Sequence, residues 1–406
     1  MATAQPRIVD ADGHVLEHPS AMLKYIPQRF KERCWHVEID SKGEEWLYFD
    51  GHKRNARGMA LAGSGGMTLE QREACLAGRY KYSEIANGAF DPAARLSELA
   101  IDDIEQAVVY PTQFLGISAI PDQEFAEAQA MAYNRWVAEY CAYSPKRLFG
   151  IAAVPQRDIG RAVKLLDEIR GMGHVGVFLR PNPSVEGSWF WDEMYEPLWD
   201  KLEDLGLAVG FHPFLMPDMP GAIRSLGLAN VVAPGAKANP GGTEQGSDTF
   251  GLKNIFFSQA LGNPFDMQIV MATLICGGVL ERHPKLKVIF LEANGGWIVP
   301  FLERLDHHYE IFRWEVPRMK LKPSEYFKRQ CWISFDPDES TLRLTAESPL
   351  VGPDRIIWAS DYPHPDAKIP GVVDELRGAM KGLSAADQAR IFGQNAIELY
   401  SLPDPV

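Results

Sequence analysis

The chain has 406 residues, 46% hydrophobic and 23% charged, proportions that fill a large buried core and exclude a disordered chain. Lys and Arg number 41 against 54 Asp and Glu, a net charge of −13 with no basic cluster; nucleic acid is thereby excluded as a partner and a small-molecule substrate expected. No stretch approaches the ~20 apolar residues of a membrane span, so no membrane partner is expected.

Residues 1–14 lack the apolar run of a signal peptide. The five cysteines (Cys34, Cys75, Cys141, Cys276 and Cys331) are odd in number, far apart and never in a CxxC pair. That pattern predicts free thiols and a cytoplasmic protein.

In chain order, short aliphatic runs alternate with helical patterns, the rhythm of a parallel α/β fold. The strands are predicted at 7–12, 106–110, 149–154, 175–179, 208–211, 287–291, 332–335 and 355–359. Eight strands predict a single (β/α)8 TIM-like barrel over 1–406. Asp91-Pro92 supplies an N-cap and an N1 proline to one connecting helix. Apolar residues at helical spacing mark another over 159–169, ending at Gly171 and Gly173. Ser384 caps a last helix running to about Tyr400. Two stretches exceed a minimal barrel. The first, 18–90, follows strand one and holds a glycine-rich run, 62–67, expected as a flexible tip. The second, 214–250, follows strand five and is rich in Pro, Gly and Met. Both follow a strand's C-terminal end, which puts them over the barrel mouth, either as a lid that excludes water or as surface decoration and dimer contacts. A homodimer is expected.

Strand one ends in Val9-Asp10-Ala11-Asp12-Gly13-His14. Residues two apart on a strand share a face, so Asp12 and His14 converge and suit one divalent cation. His212 ends strand five in Val209-Gly210-Phe211-His212-Pro213, and Asp361 ends strand eight in Trp358-Ala359-Ser360-Asp361. A carboxylate directly after an apolar strand is costly to bury without a cation. Three distant strands thus finish in metal-ligand residue types at the end of the barrel where ligands belong.

With these motifs the chain resembles the amidohydrolase superfamily, in particular the amidohydrolase-related branch that includes aminocarboxymuconate semialdehyde decarboxylase and γ-resorcylate decarboxylase. The resemblance covers nearly the whole chain, through the closing Ile391-Phe392-Gly393-Gln394-Asn395-Ala396. It implies that Asp12 and His14 stand at the family's strand-one ligand pair, His212 at its strand-five His, and Asp361 at its strand-eight Asp, a ligand that also handles protons. The decarboxylases end strand six in a His; here that region reads Leu291-Glu292-Ala293-Asn294, which puts ordinary decarboxylation in doubt.

Glu292 is open to three roles: general base, further ligand, or partner holding a ligand His. His364 is either a ligand or a neighbour of one, and Glu17 is expected beside the ligands rather than among them. Arg180, ending strand four, either grips a substrate carboxylate or pairs with a barrel carboxylate. His307-His308 lie on a helical stretch and His174 at the far end of the barrel, away from chemistry. The mix of carboxylates and imidazoles suits Zn, Fe or Mn, as one ion or two. The function expected first, as the commoner chemistry on the scaffold it resembles, is a metal-dependent hydrolase acting on a small carboxylate- or ring-containing molecule through metal-activated water, with Asp361, Glu292 and Arg180 as catalytic residues. The alternative is a non-haem diiron or mixed-metal monooxygenase, with a decarboxylase or a purely binding barrel behind both. Trp35, Trp46, Tyr48 and Trp189-Phe190-Trp191 suggest a large apolar or ring-containing substrate.

Overall fold

The computed structural model describes residues 6–214, 256 and 258–405. Eight parallel strands form one sheet in the order β1 (Val9–His14), β5 (Gln106–Tyr110), β6 (Leu148–Ala152), β7 (Gly176–Leu179), β8 (Ala208–Phe211), β9 (Val288–Phe290), β10 (Cys331–Phe335) and β11 (Ile356–Trp358). Every residue in these strands is buried. That is why all but β1, which carries Asp10, Asp12 and His14, read as largely continuous apolar runs: helices cover one face and side chains from the opposite strands fill the other.

The first and last strands meet beyond β11. Asp361 N donates to Asp12 O at 3.2 Å and His14 N to Tyr362 O at 2.7 Å. Asp10 reinforces the seam, accepting from Ser360 N at 3.0 Å and from Ser360 Oγ at 2.6 Å. The ring is thus closed into a (β/α)8 barrel.

The connecting helices start as their sequences dictate. Asp91 Oδ1 accepts from Ala94 N at 2.8 Å ahead of the helix Pro92–Leu99, and Asp158 Oδ1 accepts from Arg161 N at 3.0 Å ahead of Ile159–Gly171. Ser384 caps Ala385–Ala389, which continues through Arg390–Gln394 into Asn395–Tyr400. Asn395 Nδ2 donates to Ile356 O and to Pro353 O, both at 2.7 Å, tying this closing segment to β11.

Between β1 and β5 lies a three-stranded antiparallel sheet: β2 (His36–Ile39), β3 (Glu45–Phe49) and β4 (His52–Asn55). The glycine run 62–67 is not a projecting tip. Gly65 N donates to Pro363 O and Gly66 N to Ala367 O, both at 2.9 Å. A Cβ on Gly65 would stand 2.9 Å from the carbonyl oxygen of His364, so this close approach requires glycine. Of the second insertion, 214–250, only Phe214 falls within the described residues. Among the described residues no helix is long and apolar enough to cross a membrane.

Candidate active site and metal centre

β1 carries a bulge. Asp10 pairs with Ala107 and Gly13 with Val109, so one extra residue is accommodated between them. Gly13 has no room for a side chain, since a Cβ would lie 2.5 Å from Arg95 Nη2 and 2.6 Å from Asp10 Oδ2. The bulge turns both Asp12 and His14 into the mouth, where His14 Nε2 is 3.7 Å from Asp12 Oδ1.

Each barrel-mouth imidazole is held through its outer nitrogen. His14 Nδ1 lies 2.9 Å from Pro111 O and His212 Nδ1 lies 2.9 Å from Pro213 O. A carbonyl only accepts, so both Nδ1 atoms carry hydrogen and both Nε2 atoms present lone pairs. Those two Nε2 atoms are 3.3 Å apart. Asp12 Oδ1 is 4.0 Å from His212 Nε2 and is buried without a hydrogen-bond partner among the described residues.

Asp361 and Glu292 complete the group from opposite sides. Asp361 Oδ1 is 3.3 Å from His14 Nε2 and 2.8 Å from His364 Nδ1. Glu292 Oε2 is 3.2 Å from His212 Nε2, while its Oε1 accepts from Gln259 Nε2 at 3.1 Å. Both residues sit at strand ends in the left-handed region, with φ of 45° for Glu292 and 53° for Asp361. His364 spans Asp361 and Thr112, with Nε2 2.9 Å from Thr112 Oγ1. The Thr112 hydroxyl hydrogen goes to Val15 O at 2.8 Å, so His364 Nε2 is the donor in that pair.

The electrostatics are one-sided. Burial, then the charges of Asp361 and Glu292, push the Asp12 carboxyl well above the usual range. Burial, then Asp366 and Asp336, raise Asp361 in the same way. Burial takes Glu292 up to about 8 with help from Asp361. Burial drives His14 well below its ordinary value and His212 down to about 3. Each group resists its own charge chiefly because it is buried away from water. One divalent cation reverses that logic for all of them, binding neutral imidazole lone pairs and ionised carboxylates together. The orphaned Asp12 oxygen and the two facing Nε2 lone pairs are the features that fit such an ion. The ligand atoms close enough to share one are those of Asp12, His14 and His212, and of His14, Asp361 and His364.

Other expected residues fall elsewhere. Glu17 accepts from the backbone N–H groups of Thr112, Gln113 and Phe114 at 2.9–3.0 Å, shaping the loop after β5. Arg180 is buried, with Nη1 3.4 Å from Ser118 Oγ, and does not join the lining of the cavity beside Glu292 and Asp361. His174 lies between the carbonyls of Gly150 and Asn134, away from the mouth. Trp35 is buried over the loop after β5, whereas Tyr48 stacks on His36 and Trp189 on Trp191. Gln259, Asn263 and Thr112 carry no motif that marks them in the sequence. Asn263 Nδ2 ties Gln259 Oε1 to Glu292 O, so the helix Asn263–Cys276 begins by fixing the Glu292 loop.

The amidohydrolase profile matches residues 9–402, which takes in all the strands that build this site. The chain belongs to the amidohydrolase family. Over 331 residues it is 27% identical to 2-amino-3-carboxymuconate-6-semialdehyde decarboxylase of Dictyostelium discoideum, covering 80% of each chain. The fold matches an amidohydrolase from Mycobacterium avium subsp. paratuberculosis at TM-score 0.73 and 23% identity, over 98% of this chain and 100% of that one. It also matches the dihydroxybenzoic acid decarboxylase of Polaromonas sp. JS666, solved with manganese and the inhibitor 2-nitroresorcinol, at TM-score 0.61 and 18% identity, with 98% of each chain covered.

These relatives correct the functional expectation. Both those with a named reaction are decarboxylases, not hydrolases and not monooxygenases. Hydrolysis was expected as the commoner chemistry on this scaffold, and decarboxylation was doubted because Glu292 departs from the decarboxylase pattern at strand six. A carboxyl group kept neutral by burial donates a proton as a His does, so a change of residue type there is no warrant for a change of reaction.

Proposed function

We propose that this chain is a metal-dependent decarboxylase acting on an aromatic or otherwise unsaturated carboxylic acid. The observation that carries the proposal is the pairing, at one barrel mouth, of a cation-fitting group with a separate buried carboxyl, Glu292, on the wall of an adjoining cavity. The decarboxylase relatives support the same reaction class.

Asp12, His14, His212 and Asp361 would hold the ion, with manganese, zinc and iron all compatible with that donor set. When bound, the metal supplies a positive charge that grips and orients the substrate's oxygen atoms. Glu292, on the wall of the cavity, in its protonated form delivers a proton to the carbon bearing the carboxylate. The C–C bond to the carboxylate then breaks, its electron pair restores the unsaturated system, and carbon dioxide leaves. Gln259 holds Glu292 Oε1 and so fixes which oxygen faces the cavity. His364, anchored on Thr112, holds Asp361 in place.

The test is to incubate the manganese-loaded protein in D2O with a panel of aromatic and unsaturated acids, and with esters, amides and lactones. The expected result is carbon dioxide release with one deuterium at the vacated carbon. Hydrolysis of an ester, amide or lactone with no carbon dioxide from any acid overturns the proposal.

A homodimer is the proposed assembly, since Phe265 and Ile269 on Asn263–Cys276 and Phe312 and Trp314 at the end of Ile298–Phe312 are exposed. A solution mass near 45.4 kDa by light scattering would contradict it. The five unpaired cysteines suit the cytoplasm proposed as its compartment.

A further inference from the structure

Two cavities meet at the barrel mouth. The one bounded by Glu292, Asp361 and His364 has a volume of about 180 Å³. An apolar cavity of about 150 Å³ takes one benzene ring, so this space fits a single ring and little more. The second cavity is larger, about 420 Å³, and is lined mainly by apolar side chains, among them Trp35, Leu47, Phe49, Phe114 and Ile117. Gln113 and Phe214 line both cavities.

The second cavity is built from parts a minimal barrel lacks. Its floor is the 3-10 stretch Gln113–Ala119 after β5, whose start Glu17 pins by accepting from the backbone N–H groups of Thr112, Gln113 and Phe114. Its outer wall is Leu47 and Phe49 of β3, successive inward residues of the inserted sheet, while Trp46 and Tyr48 face away, Trp46 Nε1 donating to Asp40 Oδ2 at 3.0 Å. Asp50, His52 and Arg54 border it on the side of β4. Water in a cavity with walls this apolar is displaced favourably by an apolar group of matching size.

From this juxtaposition we infer that the substrate is a two-part acid. Its reacting ring or unsaturated carboxylate sits beside Glu292 and Asp361, and an apolar arm of a second ring or about six carbons passes between Gln113 and Phe214 into the cavity under β3. The inference rests on the proposal that the metal group acts on a carboxylic acid, but its test does not require turnover. The arm selects the substrate, and the first cavity performs the chemistry.

The experiment measures binding of benzoate and 4-hexylbenzoate to the manganese-loaded protein by calorimetry. The arm should tighten binding by at least about tenfold, the gain from burying roughly two methylene groups. Ala119→Trp, which fills the second cavity and lies outside the metal group, should bring the two affinities within about twofold while leaving benzoate unchanged. Phe49→Ala removes one wall instead and should reduce the gap severalfold, which keeps the test decisive if Ala119→Trp does not fold. An equal affinity of the wild type for both acids, or a gap that both variants retain, overturns the inference. An affinity gap with no carbon dioxide released from any acid leaves the arm site standing and removes the decarboxylase. Carbon dioxide release with no gap does the reverse.

Discussion

The Nε2 atoms of His14 and His212 lie 3.3 Å apart, each on a ring whose Nδ1 is already committed to a backbone carbonyl. Two lone pairs so placed repel, and the 4.0 Å approach of the unpartnered Asp12 oxygen to His212 adds negative charge to the same point. The pair is stable when a cation lies among these atoms. His212→Ala is therefore expected to lose tightly bound metal, as read by elemental analysis. Added manganese should raise the melting temperature of the wild type by a few degrees and that of the variant not at all, because a ligand at ~100 times its Kd contributes about 2.7 kcal/mol to the state that binds it.

The proposed reaction assigns the proton to Glu292 and the substrate's oxygen atoms to the metal. Glu292→Gln keeps the shape and the hydrogen bond with Gln259 but cannot release a proton. Bound metal should be unchanged while kcat falls by about 10²–10⁴-fold, the usual range for a lost general acid. If the variant loses its metal in proportion to its activity, Glu292 is a ligand instead.

Asp10 holds the barrel seam and is the only carboxylate paired with the buried Arg95 among the described residues, at 3.9 Å. Asp10→Ala frees Ser360 and leaves Arg95 with His14 O and the Tyr362 ring. Removing one partner from a buried pair costs about 3–5 kcal/mol, so the midpoint of urea unfolding should fall sharply. Asp10→Asn, which still accepts from Ser360, should fall less.

His174 gives the fold a pH dependence away from the site. Burial pulls its pKa down from 6.5 to about 4, against the pull of the Gly150 and Asn134 carbonyls. The folded chain therefore resists a proton that the unfolded chain accepts. Stability contributed by neutral His174 is full above about pH 6.5 and is lost as pH falls toward 4, by up to about 3 kcal/mol. The difference in unfolding free energy between wild type and His174→Gln, followed from pH 7.5 to 4.5, should shrink along that window. A constant difference contradicts the assignment.

The barrel was readable because its strands are short, mostly apolar and separated by helical patterns. The expected 106–110 and 208–211 coincide with β5 and β8, and the others shift by one or two residues. The inserted sheet β2–β4 was not read, although Trp46, Tyr48 and Phe49 in β3 and the Asp50-Gly51 turn carry a hairpin signal. The candidate ligands Asp12, His14, His212 and Asp361 stood out in the sequence because each lies at or just past the C-terminal end of a strand, where direction is fixed by the sheet. Gln259 and Asn263 were not, since their approach to Glu292 depends on how a helix start docks on another loop, and no local pattern records that.

Glu292 and Asp361 occupy left-handed backbone that a glycine would adopt freely, whereas a side chain there costs on the order of 1 kcal/mol. Glycine at either position would relieve that strain and, on the proposed function, remove the chemistry. At these two strand ends, selection for durability and selection for turnover pull in opposite directions, and the residues present record which demand prevailed.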